Sequence, residues 1–219
     1  LDHSRTTFET TPIEPFRAKG KAEPVRASIV GRILGSRGER VAETPLVGRD
    51  AELAALLEVL DDVRTGNGWI VEISGAAGIG RSRLVHELVD RCPDVVVLHA
   101  RCEEYESSTP YYALRAPMRT ALGLEPHADT DEVERRLREV VARVDASLVP
   151  WVPLLGILLG LDLPPTPETA ALDERFLREA LGDVAMRFLV STLAGTATML
   201  AVEDVHFMDE ASADLLTRF

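Results

Sequence analysis

The stretch Trp69-Ile70-Val71-Glu72-Ile73-Ser74-Gly75-Ala76-Ala77-Gly78-Ile79-Gly80-Arg81-Ser82-Arg83-Leu84 decides how the chain is read. Its first five residues are apolar β-formers interrupted by one acid, which predicts a short strand over 69–73. Leu84, Val85 and Leu88 recur at helical spacing, which predicts a helix over 82–90. Between them Gly75 and Gly80 bracket four residues. A nucleotide's phosphates put several negative charges into a small volume. Successive backbone N–H groups can converge on them where glycines allow the curvature, and the following helix adds the positive end of its dipole. Ser82 stands where a hydroxyl can ligate Mg²⁺, and Arg81 stands in the place of the cation. The rival reading is a glycine-rich turn that binds nothing; strand, helix, hydroxyl and cation all in register favour the phosphate loop.

Arg81 matters because no lysine follows Lys21. A guanidinium keeps the charge and can fork to phosphate oxygens, but it is bulkier and planar. A lysine reaches between phosphates as a point charge. Binding is therefore expected to survive while hydrolysis is slow or absent.

A second constellation is Met199-Leu200-Ala201-Val202-Glu203-Asp204. A buried strand over 198–202 ending in two acids puts charge at the carboxyl edge of a sheet, where ligands sit in open α/β folds. Glu203 is assigned to the metal side and Asp204 to the water side. His206 could sense a terminal phosphate or simply pack at a strand-to-helix turn. Asp209 or Ser212 is expected to cap the next helix. Upstream, Val47-Gly48-Arg49 could lay its backbone along an adenine edge or be a simple turn. Asp50 is expected to cap a helix carrying Leu53, Leu56, Leu57 and Leu60, ended by Gly66-Asn67-Gly68.

Farther out, Val95-Val96-Val97-Leu98 reads as another buried strand. Helical stretches follow at 111–122, 131–144, 148–161 and 168–193, and a last helix opens at 212. Tyr111, Tyr112 and Trp151 read as packing residues. Strands alternating with helices imply a parallel sheet covered on both faces. Residues 1–30 differ: Gly20 turns between two short extended stretches, which predicts a hairpin, and 31–43, rich in Gly, Arg and Ser, reads as a linker.

The 219 residues are 46% hydrophobic and 27% charged, an ordinary globular composition. The net charge of −12 disfavours direct nucleic-acid binding by these residues. Cys92 and Cys102 make no metal pattern and no disulfide framework. No basic-then-apolar leader is visible. The apolar stretch 148–161 is too short for a bilayer and carries Pro150 and Pro153, so no membrane partner is expected. Leu1 is not an initiator Met and Phe219 lies inside a helical pattern, so both ends are expected to be cuts.

Three blocks carry a resemblance: 46–53 (Leu-Val-Gly-Arg-Asp-Ala-Glu-Leu), 74–84, and 202–212 (Val-Glu-Asp-Val-His-Phe-Met-Asp-Glu-Ala-Ser). In this order they resemble the AAA-type ATPase module (the AAA_16 kind) of STAND-class signalling proteins. The resemblance implies a P-loop NTPase three-layer sandwich over 44–219, with an incomplete parallel sheet truncated after the Walker B strand. It maps an adenine loop onto Val47, Gly48 and Arg49. It maps Walker A onto Gly75, Ala76, Ala77, Gly78, Ile79, Gly80, Arg81, Ser82 and Arg83. Walker B falls on Glu203 and Asp204, with Ser82 and Glu203 on the metal. Arg81 replaces the family's Lys, and Phe207-Met208 its usual Trp-Ala. In this class the strand after Walker B lies between the Walker A and Walker B strands, so a gap in the sheet and low stability of the isolated chain are expected.

Residues 1–30 resemble the C-terminal hairpin of a class III adenylate/guanylate cyclase domain, carried by Phe16, Lys19-Gly20-Lys21 and Pro24-Val25. The resemblances together imply a cytoplasmic fragment of a multidomain bacterial regulator. Its implied partners are ATP, Mg²⁺ and other domains of the same polypeptide, with ATP-dependent self-association. The expected function is an ATP-binding switch with slow hydrolysis. The alternative is a nonhydrolysing, nucleotide-bound scaffold attached to a cyclase.

Overall fold

A computed structural model describes residues 6–17, 19–21, 24–36, 46–76, 78–125 and 128–218. The chain divides into two compact units, Leu1–Pro45 and Leu46–Phe219.

The first unit contains a long antiparallel hairpin. Strand β1 (Thr6–Pro12) pairs with β2 (Ser28–Ser36) in a register that sets Pro12 opposite Ser28 and Thr10 opposite Val30. Nearer the tip, Ile13 N donates to Ala27 O, and Phe16 and Val25 form a bridge. Gly20 takes φ +86° in the turn, a conformation a side chain resists. The hairpin is where it was expected, but β2 runs on through Ser36, so 31–36 is strand rather than linker. Cross-strand pairing recruits Ile33, Ser36 and, opposite Thr7, Gly35 in spite of glycine's low β-propensity. Residues 37–43 of the expected linker lie outside the described residues.

The second unit is α/β. Helix α1 (Asp50–Arg64) leads to the glycine loop, and α2 (Arg81–Arg91) follows it. Strand β3 (Val96–Arg101) comes next, then α3 (Tyr112–Ala121), α4 (Thr130–Val144), α5 (Val152–Leu159), the single turn α6 (Pro167–Ala170) and α7 (Glu174–Leu193). Strand β4 (Thr198–Glu203) and α8 (Glu210–Leu216) close the described chain. The stretch 148–161 is not one helix. Pro150 lies in a 3₁₀ segment, Ala146–Trp151, and α5 starts after it with Pro153 in its first turn, where a missing N–H costs nothing. The stretch 168–193 also divides, because Asp173 accepts from Arg175 N and starts α7 afresh. Asp50 does not cap α1. Arg49 holds the cap position without a side-chain bond, and Asp50 sits in the first turn, where its charge favours the helix dipole.

Strands β3 and β4 pair in parallel, Leu98 with Leu200 and Arg101 with Glu203. Alternation puts Met199, Ala201 and Glu203 on one face and Thr198, Leu200 and Val202 on the other. Met199 packs on a cluster formed by Leu53 and Leu60 of α1, Leu84 and Leu88 of α2, Cys92 and Val95. On the other face α3 lies along β3. Behind it the larger core gathers α3, α4, α5 and α7 around Phe188, Leu155, Val133 and Leu137, all fully buried. Arg64 ties the end of α1 to the loop before β3, donating from Nε and Nη2 to Asp94 at 2.8 Å each.

The strand expected at 69–73 is not formed. It belongs to neither sheet, and among the described residues the parallel sheet has two strands. A strand is defined by its ladder, and nothing described here pairs with this run. Ile70 is 96% exposed, and Trp69 and Val71 are also on the surface. Trp69 is held by its indole N–H, which donates to Asp62. Asp62 also accepts from Asn67, and these bonds hold its carboxyl below the usual carboxylate range.

Candidate functional site

The glycine loop turns where it was expected to. Gly78 and Gly80 take φ +78° and +95°, and a Cβ on either would meet nothing within 4 Å. Their need for glycine is therefore one of backbone conformation, and the space beside them is open. Gly75 is tighter: a Cβ there would come within 3.1 Å of Ile79 Cγ2. The loop folds back on itself, with Ile79 N donating to Ala76 O. Ala77, the remaining loop residue proposed to touch phosphate, lies outside the described residues.

Gly80 caps α2, and Leu84 N bonds back to Gly80 O at 3.0 Å. Helix geometry leaves the amides of 81, 82 and 83 without intrahelical acceptors, at the positive end of an 11-residue helix. Ser82 lies in that turn, half-buried. Arg81 is exposed and makes no ion pair with another described residue. Arg83 differs: its guanidinium pairs with Glu87 at 3.1 Å along α2.

Arg49 reaches the same place from α1. It donates to Glu52 Oε1 at 2.5 Å and to Ile79 O at 3.4 Å. The guanidinium holds the Glu52 carboxyl below its ordinary range. Arg49, Leu56, Val59, Val71, Ser74 and Ile79 to Arg81 line one cleft of about 410 Å³. The upstream loop and the glycine loop thus meet at Arg49. Val47 and Gly48 do not line the cleft; Val47 is 82% exposed.

At the end of β4, Glu203 is half-buried and Asp204 follows in a left-handed turn at φ +54°. Parallel register brings Arg101 beside Glu203, and Nη2 donates to Oε2 at 2.8 Å. His99, two residues earlier on the same face of β3, places Nε2 3.5 Å from Oε1. The His99 ring meets His86 of α2 edge-on, with centroids 6.4 Å apart. Glu203 therefore faces the α2 side of the sheet, through a chain of contacts from α2 to β4. Its Oε1 is buried and accepts no hydrogen bond from the described residues.

Magnesium takes hard oxygen ligands, and it keeps waters and phosphate oxygens rather than demanding an all-protein cage. Ser82 Oγ and Glu203 Oε1 are oxygens of this kind, so their donor chemistry suits the ion. Among the described residues no cluster of three or more His, Cys, Asp or Glu is arranged to hold a metal alone.

The packing assignments fare well. Asp209 caps α8 through Ser212 N, Tyr111 is buried at the start of α3, and Trp151 packs against the larger core. His206 is exposed in the 3₁₀ turn Val205–Phe207 and lies against Phe207, with ring centroids 4.0 Å apart. Two features were not read from the sequence: the Arg101–Glu203 pair, and the link from Asp209 to Tyr111. Both depend on the pairing of segments about 100 residues apart; the only sequence signal for either was the opposite charge of Arg101 and Glu203.

No solved structure matches the chain. A curated relative, an uncharacterized protein of Rhizobium meliloti (strain 1021), is 28% identical over 176 residues; these cover 78% of this chain and 17% of the relative, so the chain spans about a sixth of that protein's length. A family model for the AAA ATPase domain matches residues 45–219. With a glycine loop feeding the start of α2 and a strand ending in Glu203, which faces α2, and Asp204, the chain belongs to the AAA ATPase domain family, a nucleotide-binding P-loop NTPase fold.

Proposed function

We propose that this domain binds Mg-ATP and acts as a slowly hydrolysing switch within a larger signalling polypeptide. The observation that carries the reading is the glycine loop. Left-handed Gly78 and Gly80 turn the loop into the start of α2 and bring Arg81, which makes no ion pair with another described residue, to a cleft that Arg49 also enters. Mg²⁺ would be held by Ser82 and Glu203, and bound there it would neutralise phosphate charge. Asp204, next to Glu203, would orient the attacking water. ATP would favour one arrangement of the domain and hydrolysis would release it.

A nonhydrolysing scaffold is the second reading. It is favoured by Arg81 in the lysine position and by the Arg101–Glu203 pair, which competes with a metal for one carboxylate oxygen. The hairpin is read as the closing piece of a cyclase-like domain, through Phe16, Lys19-Gly20-Lys21 and Pro24-Val25. A cytoplasmic setting and self-association driven by ATP belong to the same proposal. In support, no helix among the described residues is long and apolar enough to cross a membrane.

The test is ATP affinity and phosphate release in the whole protein, compared with Arg81→Lys and Arg81→Ala. The switch reading expects binding to fall by about tenfold or more in Arg81→Ala, as for loss of a charge-assisted contact, with turnover similar in the unmodified protein and in Arg81→Lys. Turnover that appears only in Arg81→Lys supports the scaffold. Unchanged binding in Arg81→Ala rejects the phosphate loop.

A further inference from the structure

Two non-glycine residues among those described have left-handed backbones: Tyr111 at φ +60° and Asp204 at φ +54°. Such conformations persist where the surroundings over-determine them, and they cluster at functional sites. They belong to segments far apart in sequence, the start of α3 and the end of β4. Asp209 bonds to the first and follows the second by five positions.

The Asp209 side chain does more than a cap requires. It is buried, 4% exposed. Oδ1 accepts from Ser212 N at 2.8 Å, the ordinary capping bond. Oδ1 also accepts from Tyr111 N at 2.8 Å, and Oδ2 accepts from Ser212 Oγ at 2.7 Å and, at 3.5 Å, from Ala113 N. The bonds to α3 cross 98 and 96 residues of sequence. They hold the left-handed Tyr111 directly.

Asp204 is held at one remove. The ladder fixes Glu203, whose carbonyl accepts from Cys102 N at 3.1 Å. From there the chain makes one 3₁₀ turn, with Phe207 N donating to Asp204 O and Met208 N to Val205 O, and reaches Asp209 immediately afterwards. Five residues separate Glu203 from Asp209, and both ends are anchored. The left-handed Asp204 is the bend that lets the chain close between them.

We infer that Asp209 is a positioning residue that fixes Asp204 in its left-handed turn and joins the nucleotide site to the start of α3. The inference rests on the proposed role of Asp204 at the attacking water. A carboxylate that loses its grip on α3 frees the 204–208 turn, and Asp204 relaxes toward ordinary backbone with its side chain displaced.

The experiment separates the cap from the clamp. Asp209→Ser keeps a good helix cap but is too short to reach Tyr111, whereas Asp209→Asn keeps an acceptor at the same reach. In the whole protein, Asp209→Ser is expected to lower kcat for ATP about tenfold, the scale of a small misplacement, with KM changed less than about twofold. Asp209→Asn is expected to restore kcat. In an Asp204→Ala background Asp209→Ser should have no further effect, because it acts through Asp204. Unchanged kcat in Asp209→Ser, or an equal loss with and without Asp204, overturns the inference.

Amide hydrogen exchange gives a readout that does not need turnover. Exchange at 204–208 and 111–113 should rise in Asp209→Ser and not in Asp209→Asn. A rise confined to α8 means a local cap and overturns the inference. Absent turnover in the unmodified protein rejects the slow-hydrolysis reading separately, and exchange alone then decides for or against the clamp.

Discussion

The two clusters of the second unit are built unequally. The helical layer of α3, α4, α5 and α7 encloses Phe188, Leu155, Leu137 and Val133 with no exposed surface, and partly buried residues cover its rim. The cluster under the glycine loop is smaller. Leu53, Leu60, Leu84 and Leu88 are buried, while Leu56, Leu57 and Ile73 beside them are only half covered. Next to it, the 69–71 run is exposed. Stability therefore resides mainly in the helical layer, and the glycine loop lies on the thinner side. Substrate sites commonly draw on elements of low local stability, because those elements can respond to what binds.

The comparison can be broken by mutation. Phe188→Ala should cost about 3–5 kcal/mol in urea unfolding, the usual range for a large buried aromatic with no room to collapse. Leu53→Ala should cost about 2–3 kcal/mol, at the low end for its type because its half-exposed neighbours can close in. Its effect on ATP affinity should nevertheless exceed that of Phe188→Ala. The reverse order in either measurement would overturn the division of labour.

The strand the two regions share offers a subtler probe. Cys102 continues β3 on the face that looks toward the helical layer, and its thiol is held at about 11 against an ordinary 9.0. At pH 8 the thiolate fraction, and with it the rate of alkylation, should be on the order of 100-fold below that of a free thiol. The protonated thiol is favoured in the folded state, so this group's contribution to stability is complete below pH 9 and declines as pH rises toward 11. Alkylation as fast as in the urea-unfolded chain would place Cys102 in the looser region.

The smallest effect is expected at the most exposed apolar side chain. Ile70→Ala should change stability by less than about 0.5 kcal/mol, as surface substitutions do. A larger loss in the whole protein would show that further structure covers the 69–73 run there, and would sharpen the contrast between the regions.

How far the sequence could be read follows from which interactions are local. Helix α2 was legible to within a residue at each end, because Leu84, Val85 and Leu88 and the preceding glycines are neighbours in sequence. Strands β3 and β4 were legible as short apolar runs. The 69–73 run carries the same signal and forms no strand, because a ladder depends on a partner that its own residues do not encode. The reverse happened at 31–36, where Gly and Arg suggested a linker and pairing with β1 made a strand. Pro150, Pro153 and Asp173 are plain in the sequence, but whether they divide a long helical stretch is decided by the packing on either side. At the site, the glycine loop and the acid pair were legible as types. The Arg101–Glu203 contact was not, since it depends on the register of two strands about 100 residues apart.

The two tryptophans of the chain fall one on each side of the comparison. Trp69 stands exposed just before the glycine loop, its indole N–H bonded to the Asp62 carboxylate, while Trp151 packs against the larger core. The molecule thus carries its own pair of optical reporters. Trp69 emits from a wet, charged environment and Trp151 from a drier one, so the red and blue edges of a single emission spectrum follow the nucleotide side and the helical layer separately.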